Sequence, residues 1–310
     1  MFLSLILPSF ILSGILLIIS HKYFKQKKIV DKINSRSSHN VLATISGGIA
    51  IYLSLFLISS FSYFIGNTIF DYSILIPLAL LVAIGSYDDI HSIDFKLKFI
   101  FQIIAAKMIV DTGLLIDNFH GIFGIFEIGR GIAQILTIFI ILSIVNAINF
   151  IDGIDALAIS VVGVFIILFE YFSIEHTPYI NLSYLLLASM IPLFFLNVHK
   201  NSKVFLGDSG SHFLGGVVSI YVVYILSNDY IIKDSFDIHK ILFVFSILSY
   251  PIIDLIRVVI LRIKNGKSPF IADKNHLHHL LVKKFKSHII VTSIIISVTI
   301  SIFGLIQIIF

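Results

Sequence analysis

Apolar stretches of about 20 residues recur along the whole 310-residue chain, and that repetition limits the fold more than any other feature. Each is long enough to cross a hydrocarbon core of roughly 30 Å at 1.5 Å per residue. A segment surrounded by lipid must satisfy its own backbone hydrogen bonds, so each is expected to be helical. Ten spans can be drawn, near 2–20, 45–64, 73–87, 97–115, 131–149, 155–173, 179–197, 209–226, 240–261 and 288–308. Only 13% of residues are charged, against roughly a quarter in a soluble domain. The expectation is an all-α integral membrane protein, a single multi-pass domain over 1–310 with about ten transmembrane helices. The first apolar run is too long for a secretion signal and no cationic region precedes it, so it reads as a retained span. With no cysteine, disulfide and thiol chemistry are excluded. No soluble domain and no internal repeat is visible.

The loops carry the topology. Alternate loops hold eighteen of the 22 Lys and Arg residues. They are Lys22 to Arg36, Lys96 and Lys98, Lys200 and Lys203, and the group from Arg257 to Lys286. The positive-inside rule makes these loops cytoplasmic and both termini periplasmic. Every polar cluster of chemical interest lies on that same side, although the clusters played no part in the assignment. A single site on the cytoplasmic face is expected.

Four clusters stand out. Ser86-Tyr87-Asp88-Asp89 closes the third span; paired carboxylates at a membrane boundary need a cation, a partner or water. They read as a base or metal-associated pair, or as loop aspartates that cap helices. Lys96 and Lys98 follow, to hold phosphates or to mark the inner leaflet. Next, Asn146, Asn149 and Asp152 recur every three residues along one expected helix face, and Asp152-Gly153 suggests a turn before Asp155 opens the next helix. Their bland alternative is capping and interhelical hydrogen bonding.

The third cluster is Phe205-Leu206-Gly207-Asp208-Ser209-Gly210-Ser211. Such a turn opening a helix lets backbone N–H groups approach an anion, and Asp208 can take a hard cation; an N-cap is the plainer reading. Phe205 could stack on a base or anchor at the interface. The fourth, in the long last loop, contains Asp273-Lys274-Asn275-His276-Leu277-His278-His279. Without cysteine or an HExxH pattern, zinc is disfavoured, and imidazole contacts to phosphate are expected. Arg257 and Arg262 suit a diphosphate clamp.

In this order and on this side, the segments resemble the polyprenyl-phosphate N-acetylhexosamine-1-phosphate transferases, in the branch that initiates O-antigen and teichoic acid synthesis. The resemblance runs from Arg36-Ser-Ser-His39 and Gly47-Gly48 to His276–His279. It implies transfer of a sugar-1-phosphate from a UDP-N-acetylhexosamine to undecaprenyl phosphate, releasing UMP, in the bacterial inner membrane. It also implies Mg²⁺, with Mn²⁺ as a substitute. Asp208 matches the metal ligand and Asn149 a further ligand or near neighbour. Asp88 and Asp89 match the pair of which one is proposed to deprotonate the lipid phosphate. Asp152 and Asp155 match residues lining the nucleotide site, and the three histidines match a motif near the diphosphate. Arg36, Lys96, Asn146, Phe205, Arg257 and Arg262 are carried as substrate contacts. Homodimers are common in the family, and no nucleic-acid partner is implied. Two departures are visible. Val41-Leu-Ala-Thr-Ile-Ser46 stands where relatives often carry Pro, Thr and Arg, and Asp155-Ala156 replaces the commoner Asp-Gly. The alternative class is a transporter of an anionic solute, which predicts ionisable residues near mid-span and related halves; Lys107 is the clear basic residue in such a position.

Overall fold

The computed structural model describes residues 2–31, 43–119, 124–173, 177–199, 202–227, 238–266, 268 and 275–309. The helices are α1 (Phe2–Gln26), α2 (Gly47–Phe64), α3 (Leu75–His91), α4 (Phe95–Asp111), α5 (Arg130–Ile151), α6 (Leu157–Phe172), α7 (Ile180–Val198), α8 (Gly207–Ser227), α9 (Ile238–Ile247), α10 (Ser249–Lys264), α11 (Leu277–Phe285) and α12 (His288–Ile309). Each of the ten expected spans falls on a helix, yet among the described residues seven are both long and apolar enough to cross a membrane. Helices α4 and α6 are short, at 17 and 16 residues. The expected ninth span is not one rod. It breaks at Leu248 into α9 and α10, bent by 75°, and counts as an eighth crossing only if the pair is taken together. Pro251 lies in the first turn of α10, where its missing N–H costs no intrahelical bond.

Helix α8 is the axis of the molecule. Its membrane window is 89% buried, and α2, α3, α5, α6 and α9 all pack against it. Water is absent from a bilayer core, so these helices are held by close packing, which small residues permit. A Cβ on Gly48 would lie 2.1 Å from the Gly210 backbone, and one on Gly85 2.5 Å from the carbonyl oxygen of Asp208. At Gly215 it would lie 2.7 Å from the Cα of Val145. Glycines on α2, α3 and α8 thus bring three helix backbones together beside Asp208.

The chain between α5 and α6 is a tight turn. Ala156 adopts φ +60°, the left-handed region that costs an L-residue roughly 1–2 kcal/mol. Its N–H donates to Asn197 Oδ1 at 2.6 Å, which holds it there. The replacement of the commoner Gly is therefore strained. Ala156→Gly is expected to stabilise the protein by about 1 kcal/mol, read as a higher midpoint of thermal unfolding in detergent. An unchanged or lower midpoint would show that the strain is relieved elsewhere.

Candidate active site

The polar ends of α3, α5, α8 and α10, with the whole of α11, gather at one end of the bundle. Asp208, in the first turn of α8, is the meeting point. Its Oδ1 accepts from Asn149 Nδ2 at 2.8 Å, and its Oδ2 accepts from Lys98 Nζ at 2.6 Å. Lys98 also donates to Asp88 Oδ2 at 2.8 Å, so one ammonium bridges two carboxylates. Asn149 reaches Ser211 Oγ as well, at 2.8 Å. The Asp208 side chain is still 34% exposed, open to a ligand on its remaining side.

Asp89 does other work than its neighbour. Its carboxylate accepts the backbone N–H groups of Asp208 (2.8 Å) and Ser209 (3.1 Å). The helix terminus that the sequence offered to a bound anion is thus already capped, from a different helix. Gly207, at φ +75°, turns the chain into this arrangement with its Cα against the Asp89 carboxylate.

Lys98, and not Lys96, supplies the ammonium. Lys96 is exposed, two residues away on α4. Lys98→Gln is expected to lower kcat/KM by roughly 10²-fold and Lys96→Gln by no more than about twofold. Equal losses in the two variants would return the role to Lys96.

Asp152 sits in the turn after α5. Among the described residues no hydrogen bond or cation meets its carboxylate. Burial, followed by the carboxylates of Asp208, Asp89 and Asp155, pushes its proton affinity well above the ordinary carboxylate range. That is the electrostatic signature of a place lacking a positive charge. Asp155 differs. Lys203 Nζ donates to its Oδ2 at 2.6 Å and His288 Nδ1 lies 3.1 Å from it. Burial alone would raise the Asp155 carboxyl, but these two partners hold it below the usual range. Thr292 Oγ1 donates to its carbonyl oxygen at 2.9 Å, so Asp155 ties the turn to α12.

The histidine segment is fastened by α10. Asp254, fully buried, accepts from His276 Nδ1 at 2.7 Å and from the N–H of Leu277 at 2.8 Å. Arg257 donates to the Asn275 carbonyl oxygen at 2.7 Å. The buried Arg262 lies 3.5 Å from His276 Nε2 and 5.7 Å from the centre of the Phe150 ring. Both arginines therefore help hold the histidine segment in place, Arg257 half-buried and Arg262 buried. His278 is buried with Nδ1 2.9 Å from the Tyr250 hydroxyl, and its buried Nε2 meets no hydrogen-bond partner among the described residues. Burial, then the neighbouring imidazoles of His279, His276 and His288, lower its proton affinity well below the ordinary histidine range. A Cβ on Gly153 would lie 2.4 Å from that Nε2 and 3.0 Å from the His279 ring. The glycine of the Asp152-Gly153 turn thus lets both histidines pack onto it.

Two other expected contacts are engaged within the protein. Asn146 donates to Gln102 Oε1 at 3.0 Å, an interhelical pair between α5 and α4. Phe205 lies 5.4 Å beneath Lys203 Nζ, and its backbone is paired to Thr44 and Gly47. Arg36 lies outside the described residues. Sequence reasoning missed Lys203 and His288 at the site. Asp254 was legible as the acidic residue one helical turn before Arg257, but not as the partner of His276.

Hard oxygen donors beside a fixed ammonium suit a divalent metal that also meets phosphate. Among the described residues no three His, Asp or Glu side chains could hold such an ion by themselves. Asp208 and Asp152 fit the mode in which one or two carboxylates share a cation with substrate phosphates and water.

Carboxylates bridged by a largely buried ammonium at the helix ends of a membrane protein suit phosphoryl-transfer chemistry. The comparisons agree: the chain belongs to glycosyl transferase family 4, which matches residues 71–226. A probable undecaprenyl-phosphate N-acetylglucosaminyl 1-phosphate transferase of Bacillus subtilis is 33% identical over 263 residues, 84% of this chain and 71% of the relative. The undecaprenyl-phosphate alpha-N-acetylglucosaminyl 1-phosphate transferase of Haemophilus influenzae is 31% identical, covering 82% of this chain and 72% of the relative. Its namesake in Escherichia coli O157:H7 is 29% identical, over 88% of this chain and 74% of the relative. Transferases of this family generally need a divalent metal. The apolar helices and these relatives make the chain a multi-pass protein of the bacterial inner membrane.

Proposed function

We propose that the protein transfers N-acetylhexosamine-1-phosphate from a UDP-sugar to undecaprenyl phosphate and releases UMP, as the first membrane step of a cell-surface polysaccharide. The relatives named for N-acetylglucosaminyl transfer favour UDP-N-acetylglucosamine as donor and undecaprenyl phosphate as acceptor. The distribution of Lys and Arg favours the cytoplasm as the side of the site, with both termini in the periplasm. The observation that carries this reading is the Asp208 carboxylate, shared by Lys98 and Asn149, near a buried Asp152 carboxylate that no cation among the described residues meets.

Two phosphate-bearing reactants repel one another, and the site must offset that repulsion. Magnesium, or manganese in its place, would be held by Asp208 and Asp152 and would supply positive charge to offset the negative charge of the donor diphosphate and of the departing UMP. Lys98 adds a fixed positive charge, and Asn149 orients the Asp208 carboxylate. The acceptor is a phosphate monoester with a second pKa near 6, so it is largely a dianion at neutral pH. It needs no strong base. One of its oxygens attacks the β-phosphorus of the donor, the bond from that phosphorus to the bridging oxygen breaks, and the oxygen leaves on UMP. Charge and atoms balance without a proton transfer, and positioning with charge stabilisation supplies the catalysis. Asp88, paired to Lys98, sets that ammonium in place. His276, held by Asp254, is the histidine best fixed to meet a phosphate, and His279 lies beside it.

The test supplies purified protein with undecaprenyl phosphate, a divalent ion and a panel of UDP-sugars, and follows UMP. Release is expected with UDP-N-acetylglucosamine, to require the lipid, and to stop on chelation and return with Mg²⁺. No UMP with any UDP-N-acetylhexosamine would overturn the reading.

A further inference from the structure

Away from the site, an apolar groove of about 460 Å³ opens between α6, α7 and α12. Ile159, Gly163 and Ile167 form one wall, Met190 and Phe194 the second, and Ile296 part of the third. Its mouth is Asp155, at the same end of the bundle as Asp208. From the Asp155 turn to Ile167 the groove follows about 15 Å of α6, close to the roughly 15 Å depth of a single leaflet. Positive charge at the mouth comes from exposed Lys283, Lys284 and Lys286, which end the helix that leads directly into α12, while Lys203 is paired to the Asp155 carboxylate.

We propose that this groove holds one acyl chain of an anionic glycerophospholipid from the leaflet next to the site, with its phosphate among these cations. A long polyprenyl chain would overrun a groove one leaflet deep, whereas an acyl chain matches it. Charge complementarity selects the headgroup, since basic residues at a membrane surface attract anionic lipid. The lipid braces α12 against α6 and α7, and through His288 it steadies the Asp155 turn. This inference is independent of the transfer reaction.

Native mass spectrometry of the full chain tests it, after equilibration with mixed phosphatidylglycerol and phosphatidylcholine and detergent extraction. One phosphatidylglycerol is expected per chain, preferred several-fold over phosphatidylcholine. Gly163→Phe fills the groove with little disturbance, because a Cβ there meets only Met190 Cε, at 3.9 Å. It should lose the retained lipid several-fold. If that variant does not purify, Ile167→Trp plugs the same wall. The triple variant Lys283→Gln, Lys284→Gln, Lys286→Asn should keep a lipid but lose the headgroup preference; asparagine tolerates the positive φ at 286. Unchanged retention with the groove filled, no preference for phosphatidylglycerol, displacement by undecaprenyl phosphate, or a second copy of the chain covering the groove would each overturn the proposal.

Discussion

Asp208→Asn is expected to reduce turnover by roughly 10³-fold while leaving the protein folded and monodisperse. The amide keeps the shape, and its oxygen can still accept from Asn149, so α5 and α8 stay in register. What disappears is the negative charge that pairs with Lys98 and that would hold a cation. The loss should fall on kcat and not be recovered by raising the UDP-sugar concentration. UMP release and circular dichroism measured on the same preparation decide the matter. A folded variant with more than about a tenth of wild-type kcat would remove Asp208 from the centre of the site.

The second large effect concerns stability. Gly48→Ala adds one methyl group where the Gly210 backbone stands 2.1 Å away. Backbone cannot rotate aside as a side chain can, so α2 must move off α8, at a cost of about 3 kcal/mol or more. The thermal midpoint in detergent should fall by many degrees, or the protein should aggregate on extraction. Gly304→Ala is the control: a Cβ there meets nothing within 4 Å, and the exchange should be neutral or slightly stabilising. Equal midpoints for the two variants would mean that the glycine crossing is not tight.

How much of this was legible in the sequence varies by residue. Asp88, Asn149 and Asp208 stood out as carboxylates and an amide at the ends of apolar runs; the two carboxylates meet at one ammonium, and Asn149 joins them through Asp208. Which lysine supplies that ammonium was not legible. Positions 96 and 98 differ by about 200° around a helix, and the phase of α4 is fixed only by the helices it packs against. The same holds for Asn146. Its spacing from Asn149 suggested a shared face, but only the α4–α5 contact reveals Gln102 as its partner. The bend at Leu248 lies inside an unbroken apolar run, with Pro251 as its one local mark. Partners such as Lys203, from a loop, and His288, from the start of α12, lie far from Asp155 in the chain, and no spacing rule connects them to it. The convergence of the clusters was legible because a bilayer has only two surfaces.

The cap that Asp89 places on α8 divides labour between two adjacent carboxylates. Asp88 meets the ammonium beside Asp208, while its neighbour clasps the main chain of the helix on which Asp208 rides. Any axial slip of α8 would have to surrender both of those N–H bonds at once. The central rod is thereby latched in height relative to α3, and the depth of its working carboxylate in the bilayer is set by a different helix from its own.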